Sequence, residues 1–200
     1  MEKIKRRQQL LSVLRDEKGS TYYNGPIDGI DGPGTQAGAE RFLKDYGFTV
    51  DQVQNQTPEV STELPDNAVL VFSLREDGNK YISEHFQVKE FACNDGTDPV
   101  FIHPILPVWA EMARAINGPF RPNSTYRTVA YNASPQVGGA KLSLHCRGLA
   151  MDIPKSDATP EELYALFEEI MGDSGGLGIY NWGVHVDPRP VKSRWDERSK

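Results

Sequence analysis

Histidines and aspartates stand at short intervals in the last third of the chain. His145 lies within Ser143-Leu144-His145, and Asp152 follows seven positions on, within Gly148-Leu149-Ala150-Met151-Asp152-Ile153. His185 and Asp187 alternate in Val184-His185-Val186-Asp187. Catalytic zinc takes three protein ligands, commonly imidazole nitrogen and carboxylate oxygen, and leaves a fourth position to water. His145, Asp152 and His185 meet that count, and Gly148, Ala150 and Gly183 let the chain segments carrying them approach closely. By spacing alone the same residues also fit a surface histidine and an aspartate capping a turn. Arg127 offers a permanently charged planar fork suited to a terminal carboxylate or a developing oxyanion, or to a salt bridge with a nearby acid. On a strand, Asp187 shares a face with His185. From there it could take a proton as general base or steady the imidazole.

Short, mixed elements must position these groups. Val69–Leu74 reads as an apolar strand, and the Glu76-Asp77-Gly78-Asn79 turn signal before Tyr81-Ile82 predicts a hairpin. Pro107 to Ile116 places Val108, Trp109, Met112, Ala113 and Ile116 at helical spacing before Gly118-Pro119. Thr159-Pro160-Glu161-Glu162 is a capping box with proline at the first helical position, opening a helix with Leu163, Leu166, Phe167 and Ile170 inward. Leu177–Tyr180 and Val184–Val186 read as strands, and Phe120–Tyr126 as a further one. Helix and strand mix without a regular βαβ alternation, which predicts an α+β fold.

Upstream, Gln8 to Leu14 puts Leu10, Leu11 and Leu14 on one helical face. Ala39, Phe42, Leu43 and Tyr46 form a second apolar stripe, closed by Gly47 as a left-handed helix stop. Between them lies a glycine- and proline-rich loop whose Ile27 and Ile30 are expected to plug the helix pair. Residues 51–67, DQVQNQTPEVSTELPDN, are polar and hold two prolines and no aromatic residue, so they read as a linker. The expected organisation is a helical module over 1–50, the linker over 51–67 and a larger domain over 68–200.

Two resemblances extend this reading. The run Ile27-Asp28-Gly29-Ile30-Asp31-Gly32-Pro33-Gly34-Thr35, followed by Ala39-Glu40-Arg41-Phe42 and Tyr46-Gly47-Phe48, resembles the small three-helix peptidoglycan-binding domain of cell-wall hydrolases over residues 8–50, where the match ends before the family's last helix. Downstream, several blocks occur in one order: Ser83-Glu84-His85-Phe86, Glu90-Phe91-Ala92-Cys93, Ser124-Thr125-Tyr126-Arg127 and Tyr131-Asn132. Then come Gly138-Gly139-Ala140, the Ser-x-His-x6-Asp block, Gly176-x-Gly178-x-Tyr180, Val184-His185-Val186-Asp187 and Arg194-Trp195. Together they resemble the zinc D-Ala-D-Ala carboxypeptidase family across residues 81–195. The resemblance implies one zinc ion held by His145, Asp152 and His185, and a substrate held by Arg127. Ser124 and Tyr126 are further candidates to line the substrate groove, Tyr126 fitting core packing equally well. Many members of the wider family carry an acidic residue three positions before the last histidine ligand. Here that position is Trp182, which leaves Asp187 as the candidate general base. The implied activity is hydrolysis of a peptidoglycan stem peptide, by carboxypeptidase or L-Ala–D-Glu endopeptidase action. A zinc-stabilised but inactive wall-binding or virion component is the alternative.

Composition limits the partners. The net charge is −6 from 22 basic and 28 acidic residues, which disfavours a general nucleic-acid binder. Residues 51–80 carry −4 of that charge, against +1 for 1–50 and −3 for 81–200, so the acidity marks the linker rather than a substrate preference. No apolar run reaches membrane-spanning length, and the basic start MEKIKRRQQLLSVL lacks a secretory cleavage pattern. A monomer made in the cytoplasm and acting on the wall, as phage lysins do, is expected, or a secreted protein whose signal has been removed. His85 and His103 are expected to be structural. Cys146 is set aside as a ligand because neighbours on an extended segment point apart, and a Cys93–Cys146 bridge is left open.

Overall fold

A computed structural model describes residues 2–45 and 69–198. Helix α1 (Glu2–Val13) and helix α2 (Pro33–Asp45) pack together through Leu10, Leu11, Leu14, Ala39, Phe42 and Leu43, all buried. Their loop does not bury Ile27 and Ile30, which are 43% and 66% exposed. The fully buried Gln8 explains this correction. Its Oε1 accepts from Gly29 N at 2.9 Å, and its Nε2 donates to Asp28 Oδ1 at 2.9 Å and the Ile30 carbonyl at 3.1 Å. The loop therefore turns its polar side inward and its isoleucines outward. Tyr22 fills the gap instead, edge-on to Phe42 at 5.3 Å. Tyr46, Gly47, Phe48 and the 51–67 segment lie outside the described residues.

Strand β1 (Leu70–Phe72) begins the second part. The expected hairpin with Tyr81-Ile82 is replaced by antiparallel pairing with strand β2 (Val100–Ile102). The turn signal became a helix, α3 (Leu74–Asp77), because Ser73 caps it: its hydroxyl accepts from Glu76 N, and Asp98 accepts from Ser73 Oγ at 3.0 Å and Leu74 N at 2.9 Å. A 3₁₀ turn, Val88–Phe91, precedes β2.

Helix α4 (Ile105–Asn117) is the central beam. It leans on α1 on one side, and on strand β3 (Met151–Pro154) and helix α6 (Pro160–Met171) on the other. Val108, Trp109 and Ala113 are buried as expected, whereas Ile116 is 44% exposed. Asn117 takes the inner position instead. It donates to the Pro154 carbonyl at 2.9 Å and accepts from Ser156 N and Ala158 N, tying the helix end to β3. The capping box at Thr159 forms, with Glu162 bonded back to Thr159 N at 2.8 Å. Between α4 and β3 the chain passes through helix α5 (Val129–Asn132) and a 3₁₀ turn, Leu144–Arg147. Residues 120–126 form no regular strand. Pro122 has no N–H to donate, and only Ser124 bridges to β3, opposite Asp152.

The main sheet has the order β3-β5-β4-β6, with β4 (Gly176–Tyr180), β5 (Gly183–Asp187) and β6 (Ser193–Asp196). All its pairs are antiparallel except β4 with β6. One face carries Met151, Ile153, Leu177, Ile179, Val184 and Val186, all buried and packed towards α6. Period-two alternation sends Asp152, His185, Asp187, Gly176, Gly178, Tyr180 and Trp195 to the other face. This is the α+β arrangement expected from the sequence, and one continuous apolar core runs from Leu10 to Val186.

Candidate metal centre

The register of the sheet assembles the site. Ser124, Asp152, His185, Gly178 and Trp195 are consecutive cross-strand partners, so they form one row across the polar face. His145 reaches the row from the 3₁₀ turn Leu144–Arg147, whose last carbonyls are closed off by Gly148 in the left-handed region at φ 67°. His145, Asp152 and His185 each offer one ligand atom, all within 4.8 Å of one another. Asp152 Oδ1 is 2.9 Å from His185 Nδ1 and 3.2 Å from His145 Nε2, and those two nitrogens are 3.2 Å apart.

The donor set fits a tetrahedral zinc ion. Zinc bound at about 2.0–2.1 Å holds its nitrogen and oxygen ligands about 3.3–3.4 Å from each other, a few tenths of an ångström beyond these separations. The ring orientations fit as well. His145 Nδ1 lies 2.6 Å from the Thr125 carbonyl, which calls for a proton there and leaves the Nε2 lone pair for a metal. His185 Nε2 lies 3.1 Å from Asp187 Oδ2, which in the same way frees Nδ1.

Two arginine–carboxylate pairs flank the centre. Arg127 Nη2 donates to Asp152 Oδ2 at 2.5 Å while its Nε donates to Ser124 Oγ at 2.6 Å, leaving Asp152 Oδ1 facing the histidines. Arg189 grips Asp187 with both arms, Nε to Oδ1 and Nη2 to Oδ2, each at 2.7 Å. Asp187 is fully buried. Burial pushes its carboxyl up, but the hydrogen bonds from His185 and Arg189 outweigh that and hold it well below the usual carboxylate range. Asp152 is depressed as well, His145 and His185 overcoming the penalty of its burial. Burial pushes the His185 imidazole down, yet its bonds to Asp152 and Asp187 win and carry it to about 9.

Of the residues singled out from sequence, Ser124, Arg127, His145, Asp152, His185 and Asp187 converge on this centre. Tyr126 turns aside and packs edge-on against Phe101 at 5.1 Å. Cys146 does not belong to the cluster, although the reason differs from the one expected, since its segment is a 3₁₀ turn and not an extended one. Cys93 and Cys146 are both free thiols. His85 is held by Glu111 at 2.8 Å, and His103 Nδ1 accepts from Ile105 N at the start of α4, so both stand apart from the centre.

Arg189 escaped the sequence reading, and Thr125 and Gly176 entered it only as members of the matched blocks, without a role. Arg189 had a legible signal, because 185, 187 and 189 share one side of an extended chain. Thr125 acts through its backbone and leaves no mark of residue type. Gly176 shows its purpose only in three dimensions, where a Cβ would collide with Asp187 Oδ2 and Arg189 Nε.

A His–Asp–His set with oriented rings, two of its members buried and His185 partly so, defines a candidate mononuclear metal centre on the polar face of the sheet. Residues 84–187, more than half of the chain, match the Peptidase M15 family. The chain belongs to that family and is a peptidase by class, and M15 enzymes are zinc metallopeptidases. A search of curated proteins returns no match.

Proposed function

We infer that the protein is a zinc peptidase that hydrolyses peptidoglycan stem peptides, of the D-Ala-D-Ala carboxypeptidase type, working as a phage-type lysin. The observation that carries this reading is the His145–Asp152–His185 cluster, whose three donor atoms lie together on one face of an M15 peptidase sheet. When bound there, zinc supplies Lewis acidity for the scissile carbonyl and lowers the pKa of a coordinated water towards neutrality.

The chain's own residues supply the rest. Thr125 and Asp187 fix the tautomers of the two histidines. Arg127 holds Asp152 with one arm and keeps Nη1, which has no hydrogen bond to another described residue, for the substrate carboxylate or its developing oxyanion. Ser124 sets the angle of that guanidinium. Asp187 serves the imidazole rather than the water, because both its oxygens are already taken and it is closed off from solvent. Residues 1–50 act as a wall-recognition module, 51–67 as its connector and 68–200 as the peptidase domain, so that wall binding raises the local substrate concentration. The protein acts as a monomer. No described helix is long and apolar enough to cross a membrane.

Incubation of the zinc-loaded protein with purified muropeptides, read by mass spectrometry, tests this. Release of single D-Ala marks carboxypeptidase action, and scission of the stem marks L-Ala–D-Glu endopeptidase action. Trp182, at the position where relatives place an acid, favours a second reading as an inactive wall-binding or virion component. Stoichiometric zinc without any product would select it.

A further inference from the structure

Trp195 lies at the end of the row that contains two of the three candidate ligands, two strands beyond His185. Its ring centroid is 5.3 Å from that of His185, tilted by 49°. Four features hold it there. Gly178, between the two in the row, has no side chain, and a Cβ at that position would run into the indole. Trp195 Nε1 donates to Tyr180 Oη at 2.9 Å, which fixes the tilt of the ring. Tyr180 is in turn stacked on Trp182, centroids 4.8 Å apart. Finally, the Arg189 guanidinium lies over the indole at 5.7 Å while it grips Asp187, the acceptor for His185 Nε2. The indole therefore touches both the imidazole and the clamp that orients it, from the side opposite Asp152.

We propose that Trp195, seated on Gly178, is a positioning residue that sets the rotamer of His185 for metal binding. The inference rests on the zinc reading of the centre and adds to it a supporting wall. A histidine needs two constraints, a hydrogen bond to choose its tautomer and a surface to stop its ring from swinging. Asp187 provides the first and Trp195 the second. A single hydrogen bond leaves rotation about the bond direction open, whereas a flat apolar wall at van der Waals distance closes it.

The test measures metal affinity, with the geometry read separately. Zinc affinity of the full chain is determined by chelator competition, and the visible spectrum of the cobalt(II) form reports ligand geometry. Trp195→Ala should weaken zinc binding about tenfold or more, the range typical of lost outer-shell support, and alter the cobalt bands. Trp195→Phe, which restores a flat ring, should return both towards the unsubstituted values. Gly178→Ala should reproduce Trp195→Ala by displacing the indole without removing it. Circular dichroism checks folding, and if Trp195→Ala does not fold, Trp195→Leu, which keeps apolar bulk without a planar ring, takes its place. Unchanged affinity and spectrum in the Ala or Leu variant and in Gly178→Ala overturn the proposal alone. Failure of the unsubstituted protein to bind either ion overturns it together with the zinc reading.

Discussion

Replacing Asp187 with asparagine separates two roles that one carboxylate could play beside a metal. The substitution preserves volume and removes charge from a group that is fully buried, gripped by Arg189 at 2.7 Å through both oxygens and 3.1 Å from His185 Nε2. If Asp187 orients the imidazole, its neutralisation frees the ring and weakens the fixed tautomer. Such outer-shell losses cost about 10–100-fold in metal affinity, or about 1.4–2.8 kcal/mol. The fold should also lose stability, by about 1–3 kcal/mol for the charged hydrogen bonds left unmade, and towards the lower end because Arg189 remains 36% exposed to solvent. Turnover measured with zinc in excess should then recover most of its value. A general base behaves differently: its loss leaves metal affinity intact and lowers turnover about 10²–10⁴-fold at any zinc concentration. The assay is a zinc titration of Asp187→Asn followed by muropeptide turnover at saturating zinc. Unchanged affinity together with a turnover deficit that excess zinc cannot repair would refute the positioning argument and restore Asp187 as the base.

Other consequences follow from the same geometry. The His185 pKa is raised from 6.5 to about 9, so the proton it binds stabilises the metal-free fold fully below pH 6.5, and that contribution is lost as pH rises through 9. Urea denaturation in chelator should show stability falling by up to about 1.4 kcal/mol per pH unit across that window, and a flat profile would contradict the pairing with Asp152 and Asp187. Thr159→Ala removes the cap of α6 and should cost about 1 kcal/mol in denaturation while leaving zinc affinity unchanged, since the cap lies on the far side of the sheet from the metal. Gln8→Ala leaves Gly29 N and Asp28 without their buried partner and should cost about 1–3 kcal/mol, read as faster hydrogen exchange in 27–35.

The readings that succeeded rested on local chemistry. Thr159 and Glu162 cap a helix whatever surrounds them, and the alternation around His185 marks a strand facing two ways. The failures came from long-range partners. Leu70–Phe72 is a strand, but its mate lies at Val100–Ile102, and nothing near Glu76 announces that Asp98 will help to cap a helix there. The isoleucines of the 27–30 loop looked apolar enough to bury until the buried amide of Gln8 claimed the interior. The site shows the same division. His145, Asp152 and His185 are legible through the ordered motif blocks that resemble a known family, since their spacing alone fits a surface histidine and a turn-capping aspartate equally well. The contact of Trp195 with His185 depends on the parallel register of β4 and β6, and a cross-strand register leaves no trace in a linear pattern.

The most direct measurement is mass spectrometry of muropeptides incubated with the metal-stripped protein, with and without one equivalent of zinc, alongside His145→Ala. The account predicts stem-peptide cleavage only when the unsubstituted protein carries zinc. Zinc bound at one equivalent without any cleavage product, or cleavage that survives His145→Ala, would contradict it.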